Sequence, residues 1–200
     1  MSSGENWEPI SGETPIDPSD LRNRGAIRSR AELAVAEAEN IRQAVVKYLS
    51  ARPNSRTAPF DYSWFLRLHR EMFGEVWKWG GVIRTRDLNI GDRHYQLRDR
   101  LFALVGDLEY WVAAGTEVAL QAVMLHHRAV AIHPFPDGNG RWARLLANIW
   151  LRRHDCPAVE WPAEQIGTMS PVRDEYIAAV KAADGGDLGP LTELHTRHSA

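Results

Sequence analysis

His133-Pro134-Phe135-Pro136-Asp137-Gly138-Asn139-Gly140-Arg141-Trp142-Ala143-Arg144 is the stretch on which the reading of this chain turns. It joins two segments of helical periodicity, yet a plain turn would need neither the histidine nor the paired arginines. Pro134 and Pro136 stiffen an extended run, and Gly138-Asn139-Gly140 then permits backbone angles closed to most side-chain-bearing residues. The glycines stand at the start of the next helix, where N–H groups without intrahelical partners and the helix dipole together favour a phosphate-like anion. Arg141 and Arg144, three apart, project from one face near that start. Asp137 can hold Mg²⁺ against phosphate oxygens, because that cation combines carboxylate with phosphate ligands. His133 is the nearby group able to accept a proton at neutral pH. Base, metal carboxylate, anion nest and two guanidinium forks are the parts that phosphoryl or nucleotidyl transfer requires, since positioning and charge neutralisation carry most of that catalysis.

Other local readings fit less well. Asp137-Gly138-Asn139-Gly140 resembles the opening of a calcium loop, but Arg141 and Trp142 occupy the places of a ligand and the turn glycine, and Asn148 stands where the bidentate Glu belongs. Asp-Gly and Asn-Gly also signal hairpins, but no strand pattern follows. His126 and His127 precede His133 without a Glu or Cys in ligand register, and are read as helix-packing or surface histidines.

On both sides of the stretch the period is helical. Ser29 with Glu32 forms a capping-box candidate, followed by Ala34, Ala38, Ile41, Val45 and Tyr48 at spacings of three and four, which predicts a helix over 31–50. Asp61 caps a second helix with Trp64, Leu68 and Met72 on one face, and Gly74 stops it. Leu97, Leu101, Leu104, Leu108 and Trp111 mark a third, ended by Gly115. Thr116 is the expected cap of a fourth, which carries Val118, Ala122 and Leu125. The helix after Gly140 stops before Pro157, Ser170-Pro171 opens another that closes at Gly185-Gly186, and a last short one covers Pro190 to His198. Residues 80–95 differ: Gly80-Gly81, Val82-Ile83 and Leu88-Asn89-Ile90-Gly91-Asp92 read as a short β-hairpin or flap. Residues 1–28, rich in Ser, Gly, Pro and acids, read as an extended arm that Trp7, Ile10, Ile16 and Leu21 could pin to the body. The fold class is all-α, a helical bundle with a small flap.

Composition narrows the function classes. In 200 residues, 44% are apolar and 25% charged, so the bulk is globular and long enough for a proper core. A net charge of -2 offers no broad cationic face for nucleic acid or a membrane surface. The bases are 21 Arg against 3 Lys, chiefly an echo of genome composition, with some left for bidentate phosphate contacts. A single cysteine, Cys156, excludes an intramolecular disulfide. No apolar run nears the ~18 residues of a membrane span and the first residues lack signal-peptide order, so a cytoplasmic protein is expected.

The 133–144 stretch matches the signature HxFx(D/E)GNGRxxR and on it the chain resembles the Fic family. Trp77-Lys78-Trp79-Gly80-Gly81-Val82-Ile83-Arg84 and Asn89-Ile90-Gly91 are similar to the family's approach to its target-binding flap. Thr14-Pro15-Ile16-Asp17-Pro18 and Arg30-Ala31-Glu32-Leu33 are similar to the Fic subgroup called mobile mystery protein B, so the resemblance spans about residues 10 to 165. It implies a Fic domain over 29–200, comprising a candidate inhibitory helix at 31–50, the flap at 80–95 and the catalytic loop and helix start at 133–144. It also implies transfer of AMP from ATP to a Ser, Thr or Tyr hydroxyl of a target protein docked at the flap. In that scheme His133 is the base, Asp137 holds Mg²⁺, and Gly138, Asn139 and Gly140 cradle phosphate. Arg141 and Arg144 grip the β- and γ-phosphates. Phe135 anchors the loop in the core. The Doc branch, which transfers phosphate, carries Lys in place of the second motif glycine, so Gly140 argues against it. The family's inhibitory helix, (S/T)xxxE(G/N), is matched in its acidic half by Glu39-Asn40, with Val35 where the hydroxyl residue belongs and Glu37 as a second acid. The expectation is that Glu39 pairs with Arg144. A different nucleotide, or removal of AMP, stays within the same chemistry. A reading of another class is a nucleotide-binding regulatory or toxin-antitoxin module, against which the intact His133 weighs.

Overall fold

The computed structural model describes residues 17–23, 25–167 and 169–199. Residues 1–16, with Trp7, Ile10, Thr14, Pro15 and Ile16, lie outside them. Among the described residues the architecture is helical, as the periodicity demands. α1 (Arg30–Leu49) begins where Ser29 Oγ accepts the Glu32 N–H at 3.2 Å, while the Glu32 carboxylate accepts the N–H of Arg28 at 2.6 Å. α2 (Tyr62–Phe73) begins on Asp61, whose Oδ1 takes the Trp64 N–H at 2.7 Å, and ends at Gly74. α3 (Leu97–Ala113) turns at Gly115 into α4 (Val118–Ile132). Thr116 is not the cap of α4: that helix opens at Glu117 without a side-chain cap, and the Thr116 carbonyl instead takes the Gln121 amide at 2.6 Å. α5 (Asn139–Arg153), α6 (Ala163–Gly167), α7 (Pro171–Asp184) and α8 (Gly189–Arg197) complete the chain. α6 is too short for a period of its own to register in the sequence.

α5 is buried nearly all round, from Asn139 through Trp142 to Leu151, and every other layer is arranged about it. α4 packs along it most extensively, with α1 and α2 on its flanks. α7 and α8 lie on α4 around a second, smaller cluster that includes Tyr176, Leu191 and Leu194. No helix among the described residues is long and apolar enough to cross a membrane.

Two expectations are corrected. The buried face of α1 is Leu33, Asn40, Ala44 and Tyr48 with Glu37 half-covered, whereas Ala34 and Ala38 are exposed. Hydrogen bonding selects that face: Asn40 Nδ2 donates to the Glu71 carbonyl at 2.8 Å, Asn40 Oδ1 accepts the Glu75 N–H at 3.0 Å, and the Tyr48 hydroxyl donates to the Glu71 carboxylate at 2.8 Å. The hairpin expected at 80–95 is not formed, for no residue there is in a strand. Arg84 replaces cross-strand bonds with side-chain ones. Its Nε donates to the His133 carbonyl at 2.8 Å, Nη1 to Arg86 O at 2.7 Å and Nη2 to Asp92 O. The main-chain groups of 87–91 pair with no other described backbone. The arm is held at Leu21, fully buried in an antiparallel bridge with Trp77, where Arg22 N–H meets Val76 O at 2.9 Å and Lys78 N–H meets Asp20 O at 2.9 Å.

Phe135 fixes the motif loop to this body. It is fully buried, stacks on His69 with centroids 3.6 Å apart and meets Trp142 edge-on at 5.1 Å. Phe135→Ala is expected to cost about 3–5 kcal/mol in denaturant unfolding, the usual loss for a large aromatic truncated in a core. A cost under about 1 kcal/mol would place the side chain outside the core.

Candidate active site

α4 ends at His133, whose backbone is left-handed with φ 51°. Histidine is among the residue types that enter this region more readily, and the turn throws the chain out of the helix toward the motif loop. The Nδ1 atom is buried, which leaves Nε2 as the nitrogen open to an incoming proton. Burial pushes the imidazole down to about 4, the Val130 carbonyl pulling the other way and the Arg84 cation adding to the drop. The ring is neutral, and able to accept a proton, at physiological pH.

The loop from 133 to 139 is closed on itself. Asn139 Oδ1 accepts the Phe135 N–H and Asn139 Nδ2 donates to the Phe135 carbonyl, both at 2.9 Å. The Asn139 side chain is thus spent on the loop, and its main chain remains to meet an anion. Gly138 has φ 77°, and a Cβ there would fall 2.6 Å from the Phe73 ring, so both conformation and space require glycine. Asp137 turns one carboxylate oxygen back to the Gly138 N–H at 2.6 Å, and its side chain is 41% exposed at the rim.

His69, which lies outside the motif, ties three elements together. Its Nδ1 accepts the Gly81 N–H at 2.9 Å, so the neutral ring donates from Nε2 to the Asp137 carbonyl at 3.0 Å. Burial holds it down at about 3, opposed by the Asp137 carbonyl and reinforced by Arg141. The root of the flap, α2 and the loop are thereby registered on one imidazole. No isolated sequence signal marks it, but its place among Phe65, Leu68 and Met72 on the buried face of α2 does.

The two motif arginines are held differently. Arg141 Nη1 donates to Glu37 Oε2 at 2.8 Å, Nη2 stands 3.8 Å from Asp137 Oδ2, and the guanidinium lies 4.8 Å over the Phe73 ring. Glu37 Oε1 also accepts the Trp77 indole N–H at 2.5 Å. Glu39 is exposed and pairs with Arg42 and Gln43 on its own helix, so the expected Glu39–Arg144 contact is not made. The two acids are two residues apart, about 200° around a helix, and both cannot face α5. Arg144 is buried beside Tyr176, and no carboxylate among the described residues pairs with it.

Asp137, at the rim of the loop, is the motif residue whose carboxylate could hold a metal ion. Among the described residues no group of three metal-ligating side chains exists. A lone rim carboxylate suits a cation that takes one protein oxygen and fills its sphere with phosphate and water.

Comparisons with known proteins bear on the family and the fold. Residues 59–151 match the Fic/DOC family. The chain is 32% identical over 139 residues to the protein adenylyltransferase fic-1 of Caenorhabditis briggsae, covering 67% of this chain and 26% of that protein. It is 34% identical over 134 residues to the protein adenylyltransferase Fic of Drosophila mojavensis, 64% of this chain and 25% of the relative. It spans about a quarter of the length of these curated relatives. Among solved structures, Fic-1 of Caenorhabditis elegans aligns with a TM-score of 0.67 at 24% identity over 96% of this chain and 51% of that one. BepC of Bartonella tribocorum, solved with bound AMPPNP, aligns at 0.65 with 16% identity over 98% and 97%.

The buried neutral histidines make the fold sensitive to acid. His69, His133 and His195 are depressed to about 3, 4 and 4, and His126 lies well below its ordinary value, each chiefly by burial. The unfolded chain binds protons at these groups from about pH 6.5 downward while the fold does not, so their stabilisation is complete above that pH and is lost as pH falls. Unfolding free energy is expected to drop between pH 6.5 and 4.5, each group contributing up to about 1.4 kcal/mol per pH unit. Denaturant titrations at pH 7, 6 and 5 that gave one value would contradict this.

Proposed function

The chain carries a Fic/DOC family domain, and from that premise we propose that it is a protein adenylyltransferase, moving AMP from ATP to a Ser, Thr or Tyr hydroxyl of a target protein. The observation that carries the reading is the junction of α4 and α5. A neutral imidazole stands at one end of the motif loop, and a helix N-terminus with two guanidinium groups stands at the other.

His133 Nε2 takes the proton of the target hydroxyl as its oxygen attacks the α-phosphorus. The bond from that phosphorus to the bridging oxygen breaks, and pyrophosphate leaves. The Val130 carbonyl favours the protonated ring, and the charge of a bound polyphosphate works in the same direction against the burial that depresses it. The first-turn N–H groups of α5, at Asn139 and Gly140, face the phosphate oxygens, and Arg141 and Arg144 neutralise the β- and γ-phosphates. Asp137 would hold Mg²⁺, which supplies charge neutralisation at the phosphates when bound. Residues 85–90, all exposed and with 87–91 pairing with no other described backbone, would offer the target an edge for strand addition.

The restraint built into this reading is Glu37. Its carboxylate occupies the guanidinium that the phosphates require, and the Trp77 indole fixes it there.

Incubation with Mg²⁺ and ATP labelled at the α- or the γ-phosphate tests the reaction. Protein labelling from the α position alone, abolished in His133→Ala, is expected. Labelling from γ would indicate a phosphotransferase, and none even after removal of Glu37 would favour a nucleotide-binding module without transfer. A second comparison tests the restraint. Glu37→Gly is expected to raise automodification by roughly tenfold, the order of one charge-assisted contact removed from a competing state, and Glu39→Gly to leave it unchanged. The opposite ranking would return the inhibitory role to Glu39.

A further inference from the structure

Arg144 presents a problem of physical chemistry. An arginine that is only 8% exposed ordinarily has an anionic partner, and none of the described carboxylates provides one. What it has is Tyr176 of α7, whose ring centroid lies 5.3 Å from Arg144 Cζ. Both groups look onto the first turn of α5: a Cβ on Gly140 would be 3.4 Å from Arg144 Nη1 and 3.9 Å from the Tyr176 hydroxyl.

Tyr176 is itself held. Its hydroxyl is 2.9 Å from His126 Nε2, and His126 Nδ1 is 2.9 Å from His195 Nε2 of α8. All three side chains are buried, and Trp161 packs edge-on against each ring at 5.0 to 5.9 Å. A neutral imidazole donates from one nitrogen and accepts at the other, so the chain of bonds runs in a single direction. Whether His126 donates to the phenol or accepts from it, the phenol oxygen keeps a lone pair for the guanidinium.

Resting on the reading of Arg144 as a polyphosphate contact, we propose that Tyr176, oriented by His126 and His195, is a positioning residue for Arg144. A carboxylate in its place would orient the arginine and cancel its charge, as Glu37 does at Arg141. A ring face and a neutral hydroxyl orient it and leave the full charge for the anion. Tyr176 and His195 lie beyond residues 59–151 and bring the C-terminal helices into the nucleotide site.

The test is the affinity of the full chain for ATP against AMP, measured by calorimetry, in Tyr176→Phe, Tyr176→Leu and Arg144→Gln. Tyr176→Leu is expected to weaken ATP about tenfold, the size of a desolvated cation–π contact, and Tyr176→Phe about threefold. AMP affinity stays within about twofold, because AMP lacks the phosphates that Arg144 would grip. Tyr176→Phe keeps the ring and the packing, so it carries the test if the leucine variant fails to fold. Equal losses for ATP and AMP would show a merely structural role and overturn the proposal, as would unchanged ATP affinity. Arg144→Gln separates the two levels. If it leaves the ATP-to-AMP ratio intact, the polyphosphate reading of Arg144 fails and this proposal with it. If it collapses the ratio while both Tyr176 variants keep it, only the positioning role falls.

Discussion

A guanidinium taken out of water must find acceptors for its N–H groups, and Arg84 finds them on three main-chain carbonyls from two parts of the chain. One of those carbonyls belongs to His133. The same arginine therefore gathers the segment between α2 and α3 and fixes the point where α4 gives way to the motif loop. His69 does the complementary work from the other side, reading Gly81 with one nitrogen and Asp137 with the other. Between them the two side chains define where the loop begins and how it lies on α2. Any loop that is to position reacting groups needs this definition, since misplacement by an ångström is costly when positioning supplies most of a rate.

How much of this could be read from sequence depended on where the determining information sits. The motif from His133 to Arg144 is contiguous, and its glycines, prolines and arginines each have a local reason to be there. The helices were legible because their apolar positions recur at three and four residues. The phase of α1 was not, because its buried face includes Glu37 and Asn40, which a search for apolar residues passes over. Leu33, Glu37, Asn40, Ala44 and Tyr48 follow the helical spacing, and that row would have chosen Glu37 over Glu39. His69 and Tyr176 could not be recognised in isolation, since each acts through partners 68 and 32 residues away in sequence. Arg84 was quoted only as part of an approach to a flap, and nothing local says that one arginine would replace a strand ladder.

The electrostatics of the site are asymmetric. Arg141 is neutralised from α1 by a carboxylate that also grips an indole, whereas Arg144 is set against an aromatic ring and, among the described residues, against no acid. One positive charge is therefore spoken for and the other is available. A chain with a net charge of -2 can still present a cation to an anion, because burial and the choice of neighbour decide which of its 21 arginines are neutralised.

The arrangement around Arg84 also divides the chain by tolerance. Its anchors fall at Arg86, Asp92 and His133, and Gly91 must stay without a side chain because a Cβ there would collide with His133. Residues 87–90, between the first two of these points, are exposed, and their main chain pairs with no other described backbone. Substitutions there can accumulate without disturbing the imidazole a few residues away in space. In evolutionary terms, this stretch of surface can be rewritten in small, individually harmless steps while the loop geometry beneath it is inherited unchanged.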